Sequence, residues 1–324
     1  MDANQPMHRL VVLKRQDDAG NIMRLRLGAV DASPLPAFGA GAHLDILVPG
    51  QDAPLWRQYS LSSDPADTSF YEVGILKDPA SRGGSLALHE HVVEGMSLLT
   101  EGPRNHFPLE EQADFTVLIA GGIGITPILA MARRLSALGR AFMLHYCTRS
   151  AAGTAFLDDL AGAPFRNHVV FHHDDLPSTQ RFDPARDMPA PASGVHLYVC
   201  GPAGFMDWII AAAQARGYAN ANIHREYFAA TLETGGESFE VEARASGVTV
   251  TVGPDDTITK ALARAGVKIE VKCEEGVCGT CVTTVLEGTP DHRDKFLTED
   301  ERASGEEICA CCSRACGARL VLDV

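Results

Sequence analysis

The 324-residue sequence predicts a multidomain protein of mixed α+β and α/β class: an antiparallel β-barrel, a parallel α/β domain and a small cysteine-rich domain. Three observations predict this order. Short β-type segments fill the first third of the chain, strands alternate with helical segments in the second third, and seven of the nine cysteines lie between Cys273 and Cys316. The predicted domain boundaries are 1–112, 113–228 and 239–324, with a polar linker at 229–238.

Charge and hydropathy exclude several classes of partner. The chain carries 42 acidic and 28 basic residues, a net charge of −14, which argues against nucleic acid and anionic lipid surfaces. Glycines and a proline interrupt its longest apolar stretch, 117–132, which is shorter than the roughly 20 residues of a membrane span. The first residues lack the apolar core of a signal peptide, so we expect a cytoplasmic protein. Residues 229–324 alone carry a net charge of −8, which suits either a basic partner or a solvated surface.

The barrel is predicted from period-two alternation. Segments 23–27 and 43–48 alternate apolar and polar residues, as half-buried strands do, and 10–13 is a short apolar run. Glycines and prolines separate these segments at short, even intervals, which is typical of a small antiparallel barrel.

The second domain is predicted from strands that alternate with helices. The predicted strands are 115–120, 142–147, 168–171 and 196–200. One predicted helix follows the glycine-rich turn and ends near Leu138, and a second spans 203–215. Such alternation indicates a parallel sheet.

The last domain opens with a predicted hairpin, 239–243 and 248–252, around Ser246-Gly247. Asp256 is predicted to cap a helix over 258–265. Thr298 to Glu301 matches a capping box for a second short helix.

The spacing of Cys273, Cys278 and Cys281 is typical of a plant-type [2Fe–2S] loop, in which one tight turn supplies three thiolates. The fourth ligand must come from elsewhere, and the 29 residues between Cys281 and Cys311 match the separation in such ferredoxins. We expect the neighbouring cysteines to be packing residues: Cys309, Cys312 and Cys316.

Two rival interpretations of the cysteines are weaker. A zinc ribbon usually has two C-x-x-C pairs, and in the loop 273–281 only Cys278–Cys281 has that spacing. A thioredoxin-like pair would open a helix in a βαβ unit, which does not match this context. Adjacent histidines such as His172 and His173 arise by chance among 12 histidines, so we predict no metal site there.

Two motifs in the predicted barrel suit a flavin. In Arg57-Gln58-Tyr59-Ser60, the Arg can pair with a phosphate, the Tyr can stack along the flavin, and the Ser, a candidate catalytic residue, can hydrogen-bond near N5. Arg82-Gly83-Gly84-Ser85 precedes a helical segment and offers backbone N–H groups to an anion. Either motif alone could be an ordinary turn, and their occurrence together favours the flavin.

Two loops of the second domain suit a nicotinamide dinucleotide. Gly121 to Pro127 (GGIGITP) follows a buried strand and opens a helix, as in Rossmann-type sites, but has Pro127 where the third glycine would stand. Cys200-Gly201-Pro202 follows another parallel strand and is predicted to shape the nicotinamide site, with Cys200 a second candidate catalytic residue. Both loops follow the carboxyl ends of strands, where ligands bind in parallel sheets.

Five motifs in this order, RQYSLSS, RGGS, GGIGITP, CGPAGFM and CEEGVCGTC, closely resemble the phthalate dioxygenase reductase family, the reductase components of Rieske oxygenases and O-demethylases. The resemblance covers essentially the whole chain. It implies a flavin-binding barrel, a Rossmann-like nicotinamide domain and a C-terminal β-grasp ferredoxin domain. The C-terminal position of the ferredoxin implies FMN rather than FAD.

The resemblance also implies roles for individual residues. The FMN site would comprise Arg57, Gln58, Tyr59, Ser60, Ile75, Leu76, Lys77, Gly83, Gly84 and Ser85, approached by Thr126 and Phe228 from the nicotinamide domain. The NADH site would comprise Gly122, Gly124, Thr148, Arg149, Cys200, Gly201 and Pro202. Because Arg149 could contact a 2′-phosphate, NADPH stays open as an alternative.

The implied function is an NADH-dependent reductase that passes electrons through FMN and the cluster to a separate oxygenase of the Rieske type, and we expect a monomer. A cytochrome P450 or another hydroxylase could use the same centres. A different class is a non-enzymatic iron–sulfur redox sensor, which would not oxidise NADH rapidly.

Overall fold

The computed structural model describes residues 7–79, 81, 83–228 and 235–324. The chain divides into two compact units, one ending at Glu226 and the other beginning at Tyr227. Arg82 and residues 229–234 of the predicted linker lie outside the described residues, and the predicted domain boundaries stay predictions. In the described part of the chain, no helix is both long and apolar enough to cross a membrane.

The described residues 8–104 of the first unit form a six-stranded antiparallel sheet in the order β4-β3-β6-β1-β2-β5. Its elements are β1 (His8–Asp18), β2 (Ile22–Ala29), β3 (His43–Leu47), β4 (Trp56–Ser60), β5 (Tyr71–Leu76), α1 (Gly84–His91) and β6 (Ser97–Arg104). Leu61, directly after β4, bridges Val73 of β5, so the two edge strands meet and the sheet closes into a barrel. Leu25, Ile46 and Val73 are fully buried in its interior.

The remaining described residues of this unit form a five-stranded parallel sheet in the order β11-β10-β7-β8-β9. Its elements are β7 (Phe115–Gly121), α2 (Ile125–Ala137), β8 (Phe142–Thr148), α3 (Leu157–Gly162), β9 (Val169–His173), α4 (Pro184–Asp187), β10 (Val195–Cys200), α5 (Ala203–Ala215) and β11 (Ile223–Glu226). The strand order reverses between β7 and β10, and the carboxyl ends of strands at such a switch point form a ligand crevice.

A buried ionic cluster joins the barrel to the parallel sheet. Arg24 of β2 is only 7% exposed, and its Nη2 lies 3.1 Å from a carboxylate oxygen of Glu72 in β5. Its Nη1 donates to Asp159 of α3 at 2.6 Å, and the guanidinium stacks 4.3 Å above the ring of Phe156. The cluster therefore holds β2, β5 and α3 in one arrangement.

In the second unit, the described residues form a five-stranded mixed sheet in the order β13-β12-β18-β14-β16 and a small β15–β17 pair. Its elements are β12 (Phe239–Ala243), β13 (Val248–Val252), α6 (Ile258–Arg264), β14 (Val282–Glu287), β15 (Pro290–Asp291), α7 (Glu299–Ser304), β16 (Glu307–Cys309), β17 (Arg314–Ala315) and β18 (Arg319–Leu322). Strands β12 and β18 are parallel, and α6 buries Ile258 and Leu262 in the same core as Val241 and Leu320. This is the predicted β-grasp arrangement.

The helix caps of this unit confirm one prediction and correct another. Thr298 and Glu301 form the predicted capping box of α7. Asp256 is not the cap of α6. The cap is Thr257, whose Oγ1 accepts from the amide of Lys260 at 3.3 Å, because the Asp256 carboxylate is instead paired with Arg264.

Candidate functional site

The four predicted cluster ligands lie together in the second unit. Cys273, Cys278 and Cys281 belong to the loop between α6 and β14, and Cys311 follows β16. All four are less than a tenth exposed. The thiol of Cys273 interacts with the thiols of Cys278 and Cys311, and the thiol of Cys281 interacts with that of Cys311. A convergent set of four buried thiols fits a [2Fe–2S] cluster.

The loop can wrap a cluster because glycines occupy its left-handed positions. Gly276 and Gly279 have φ angles of +69° and +71°. A Cβ on Gly276 would lie 2.5 Å from Sγ of Cys312, and one on Gly279 would overlap the ring of Phe296. The amide of Glu275 donates to Sγ of Cys273 at 3.3 Å. Amide hydrogen bonds to ligating sulfurs are one of the factors that set the potential of such clusters.

The other cysteines of the segment differ in their surroundings. Cys309 and Cys312 are buried, and their thiols interact with those of Cys281 and Cys311 respectively. Cys316 is exposed and its thiol donates to the carbonyl of Pro290 at 3.3 Å. Because two further thiols lie beside the ligand set, the assignment of the fourth ligand to Cys311 rests on the spacing and stays a prediction.

The predicted flavin-phosphate residues meet at the start of α1. Arg57 lies on β4, a strand that the sequence pattern did not indicate, and packs against Gly84. A Cβ on Gly84 would lie 2.8 Å from Cγ of Arg57 and 2.9 Å from its Nε. Gly83 caps the helix with a φ of +94°. A guanidinium beside a helix N-terminus fits a phosphate.

Among the neighbouring predicted FMN residues, Tyr59 is set apart by the effect of burial on its hydroxyl, whereas Gln58 and Ser85 have polar partners within the protein. Burial raises the pKa of the Tyr59 hydroxyl, so it stays a neutral donor. In contrast, the amide Nε2 of Gln58 lies 3.0 Å from Nε2 of His43, and the backbone amide of Ser85 donates to Oγ of Ser81 at 3.3 Å. The structure therefore brings Arg57 and Gly84 together and gives Gln58 and Ser85 partners of their own.

A carboxylate that the sequence analysis missed joins the two candidate catalytic residues. Ser60 Oγ donates to Oε2 of Glu226 at 3.1 Å. Burial raises the pKa of Glu226 to about 8, although the Ser60 hydroxyl acts in the opposite direction. Burial, and then the charge of Glu226, raise the pKa of the fully buried Cys200. The one available signal was a polar residue at the carboxyl end of the last parallel strand.

The two predicted dinucleotide loops are in direct contact at the switch point. A Cβ on Gly124 would overlap the carbonyl group of Cys200, and one on Gly201 would lie 2.9 Å from Cα of Gly121. Thr126 packs its methyl group against Gly74 of β5. A Cβ on Gly74 would lie 2.9 Å from Cγ2 of Thr126. Phe228 belongs to the second unit, so its predicted approach to the flavin stays a prediction.

A cavity of about 880 Å³ opens beside these loops. The predicted site residues that line it are Leu76, Lys77, Gly122, Thr148, Arg149 and Pro202. Asp174, Arg181 and Trp208 also line it and were not predicted. Its position at the carboxyl ends of β7 and β8, between barrel and sheet, suits a dinucleotide.

Comparisons with known proteins agree with this arrangement. Residues 241–316 match the family model of the 2Fe-2S iron-sulfur cluster binding domain. The chain is 47% identical over 308 residues to the vanillate O-demethylase oxidoreductase of Pseudomonas sp. (strain HR199 / DSM 7063), covering 94% of this chain and 96% of that protein.

Two solved structures are similar over 98% of this chain. One is phthalate dioxygenase reductase, described as a modular structure for electron transfer from pyridine nucleotides to [2Fe-2S], with 36% identity, a TM-score of 0.74 and 98% of that chain covered. The other is an intact type IV self-sufficient cytochrome P450 monooxygenase, with 37% identity and a TM-score of 0.86, of which 41% is covered.

The matches confirm the expectations of mixed fold class and of electron-transfer function. The protein is an oxidoreductase, the reductase component of an oxygenase system, and it contains a [2Fe–2S] cluster binding domain. The chain belongs to the phthalate dioxygenase reductase family.

Proposed function

We propose that this protein is a cytoplasmic, monomeric, NADH-dependent reductase that delivers electrons to a separate Rieske-type oxygenase or O-demethylase. The observation that carries the proposal is the 47% identity to a vanillate O-demethylase oxidoreductase across 96% of that protein. The convergence of four buried thiols in one unit and of a phosphate site and a dinucleotide cavity in the other supports it.

The protein's own part in the reaction is to bind and orient. Arg57 and the amides at the start of α1 would hold the FMN phosphate, and Tyr59 would stack on the flavin. Ser60 donates a hydrogen bond to Glu226, whose carboxyl group is mostly protonated and uncharged at neutral pH because burial raises its pKa to about 8. When bound, FMN converts the two-electron chemistry of NADH into the one-electron chemistry of an iron–sulfur cluster.

One acidic side chain of the cavity, Asp174, suits NADH rather than NADPH. Asp174 follows β9, the amide of Asp174 donates to the carbonyl of Thr148 at 3.0 Å, and both residues line the cavity. A carboxylate that reaches the ribose of a dinucleotide can accept a hydrogen bond from the 2′-hydroxyl and repels a 2′-phosphate. Arg149 and Arg181 line the same cavity and act in the opposite direction.

The test is reconstitution. The purified protein is mixed with NADH or NADPH and with one of two acceptors, a Rieske O-demethylase component or a cytochrome P450, and nucleotide oxidation and product formation are measured. We expect faster initial rates with NADH and product only with the Rieske component. Faster rates with NADPH would overturn the nucleotide assignment, and turnover with the P450 alone would overturn the partner. Absence of rapid NADH oxidation would support a redox sensor.

A further inference from the structure

Two buried histidines of the first unit lie outside the cofactor residues described above. His145 of β8 and His172 of β9 are each only 4% exposed. Nδ1 of His145 lies 3.0 Å from Nε2 of His172. The sequence pattern singled out His172 only with its neighbour His173, but His173 is bonded to Thr148 at 2.9 Å, so the spatial partner of His172 is a residue 27 positions away.

The outer nitrogens of this pair determine where the ring protons lie. Nδ1 of His172 is 3.2 Å from the carbonyl oxygen of Gln180, an acceptor, so Nδ1 carries the hydrogen. With its hydrogen on Nδ1, His172 turns the lone pair of Nε2 toward Nδ1 of His145. In one neutral form, His145 donates its Nδ1 hydrogen to that nitrogen; in the other, the facing nitrogens of both rings have lone pairs that a metal ion can bind.

A carboxylate completes the set of ligands. One ring nitrogen of each histidine and a carboxylate oxygen of Asp187, at the end of α4, all lie within 4.8 Å of one another. The Asp187 oxygens accept from Nε of Arg186 at 2.7 Å and from the amide of Asp183 at 2.8 Å. Hydrogen bonds of this kind from outer groups to ligating carboxylates, and from ligating imidazoles to backbone carbonyls, are usual around protein metal sites.

We propose that His145, His172 and Asp187 bind one divalent transition metal ion of the zinc type. Two imidazoles and one carboxylate suit zinc and its first-row neighbours rather than magnesium or calcium. Zinc–nitrogen bonds of about 2.0–2.1 Å place two tetrahedral ligands about 3.3 Å apart, close to the spacing of the inner nitrogens. The site does not depend on the proposed redox function.

A bound metal ion would link Asp187 of α4 to strands β8 and β9 and so restrain the segment that precedes α4. Phe182 packs edge-on against the rings of His145 and His172, with centroid distances of 5.2 and 5.4 Å. His172, Arg181 and Phe182 all line the 880 Å³ cavity. A bound ion would therefore order one wall of that cavity.

The chain offers a matched control pair. His196 and His224 lie on β10 and β11 with Nδ1 and Nε2 at 2.9 Å. Within the residues that the structure describes, no acidic side chain completes a three-ligand group around that pair. The two pairs thus share the histidine contact and differ in the carboxylate.

The experiment uses oxidised holoprotein that has been treated with a chelator and then titrated with cadmium, followed by cadmium NMR. We expect one resonance per chain in the range of nitrogen and oxygen ligands, well separated from that of thiolate ligands. The resonance should persist in His196→Gln and be lost in His172→Gln. A wild-type spectrum with only thiolate signals, or with none, would overturn the proposal whatever the variants do.

Zinc calorimetry gives the second readout. Loss of a ligand should weaken zinc binding by more than the ~10–100-fold typical of an outer-sphere change, in both His172→Gln and Asp187→Asn. Unchanged visible absorption would show that the cluster is intact and that zinc has not replaced iron. Equal zinc affinity in His172→Gln and His196→Gln would contradict the site.

Discussion

At the scale of single residues, Glu226 is the group whose protonation most departs from that of a free carboxyl. Its pKa of about 8 exceeds the ordinary value of 4.5, so the folded chain keeps the proton while the unfolded chain loses it. Its contribution to stability is fully present below pH 4.5 and is lost as the pH rises to about 8. We predict a carboxyl C=O infrared band that disappears near pH 8 and is absent in Glu226→Gln.

Glu226→Gln also tests whether the protonation of Glu226 makes the free energy of unfolding depend on pH. Because glutamine does not titrate, the free energy of unfolding of Glu226→Gln should rise relative to wild type between pH 5 and pH 8. Wild-type and variant curves that run parallel over this range would show that Glu226 ionises normally.

Gly84 is predicted to be essential for FMN affinity because its missing side chain leaves room for Arg57. In Gly84→Ala the new Cβ would meet Arg57 Cγ at 2.8 Å and displace the guanidinium. Loss of one charge-assisted hydrogen bond costs about 1.5–3 kcal/mol, so FMN affinity should fall about 10- to 150-fold in fluorescence titrations. Gly162→Ala, whose Cβ would meet nothing within 4 Å, is the control and should bind FMN normally. Equal affinity in both variants would remove Arg57 from the phosphate site.

Substitution can show which of the six buried cysteines near the cluster site are ligands and which are packing residues. We predict that Cys311→Ser loses the cluster's visible absorption, because a thiolate ligand is removed, and that Cys312→Ser keeps it. Iron and sulfide content should follow the absorption. An intact spectrum in the Cys311 variant, with loss in the Cys309 or Cys312 variant, would move the fourth ligand to that neighbour.

At the scale of elements, the ionic cluster between β2, β5 and α3 should dominate the cohesion of barrel and sheet. Arg24 and Arg26 both pair with Glu72, but Arg24 is 7% exposed and Arg26 is 41% exposed. Arg24→Gln removes the buried cation shared by Glu72 and Asp159, which keep only the more exposed Arg26 and Arg133 as cationic partners, and should lower the free energy of unfolding by about 3–5 kcal/mol. Arg26→Gln should cost less than about 1 kcal/mol.

Tryptophan fluorescence during denaturation reports the unfolding of the first unit, because both tryptophans, Trp56 and Trp208, belong to it. The free energy of unfolding of each variant can therefore be measured this way. Similar losses in the two variants would mean that burial does not distinguish the two ion pairs.

The elements predicted from the sequence were those with a strong local signal. Period-two alternation located β2 and β3, and an apolar run followed by glycines located β7 and α2. Strand β4 was missed because Arg57, Gln58, Tyr59 and Ser60 are polar or aromatic and were interpreted only as a binding motif. Its strand character comes from pairing with β3, which no local pattern encodes.

The residues of the candidate sites also differ in whether a local sequence pattern predicts them. The cysteine loop and the glycine loops were predictable, because close approach of the backbone demands particular residues at fixed spacing. Glu226, Asp174 and the His145–His172–Asp187 cluster were not, because distant segments bring them together. A carboxylate or a histidine has no local sequence signature until the fold supplies its neighbours.

At the scale of the whole molecule, the uneven distribution of charge predicts how the protein meets its acceptor. Residues 229–324, which include the cluster ligands, hold 18 acidic and 10 basic side chains, a net charge of −8. An acidic surface accelerates encounter with a basic partner, and salt removes the effect, since the screening length is about 8 Å at physiological ionic strength.

We therefore predict that kcat/KM for reduction of a basic oxygenase component, or of cytochrome c as a basic substitute, falls steeply as sodium chloride is raised, by about 10-fold or more. Ferricyanide reduction by the same sample is the control. Because ferricyanide is an anion, screening should leave that rate unchanged or raise it. A salt response of the same sign for both acceptors would mean that salt acts on NADH oxidation within the protein, and the acidic unit would then have no part in docking.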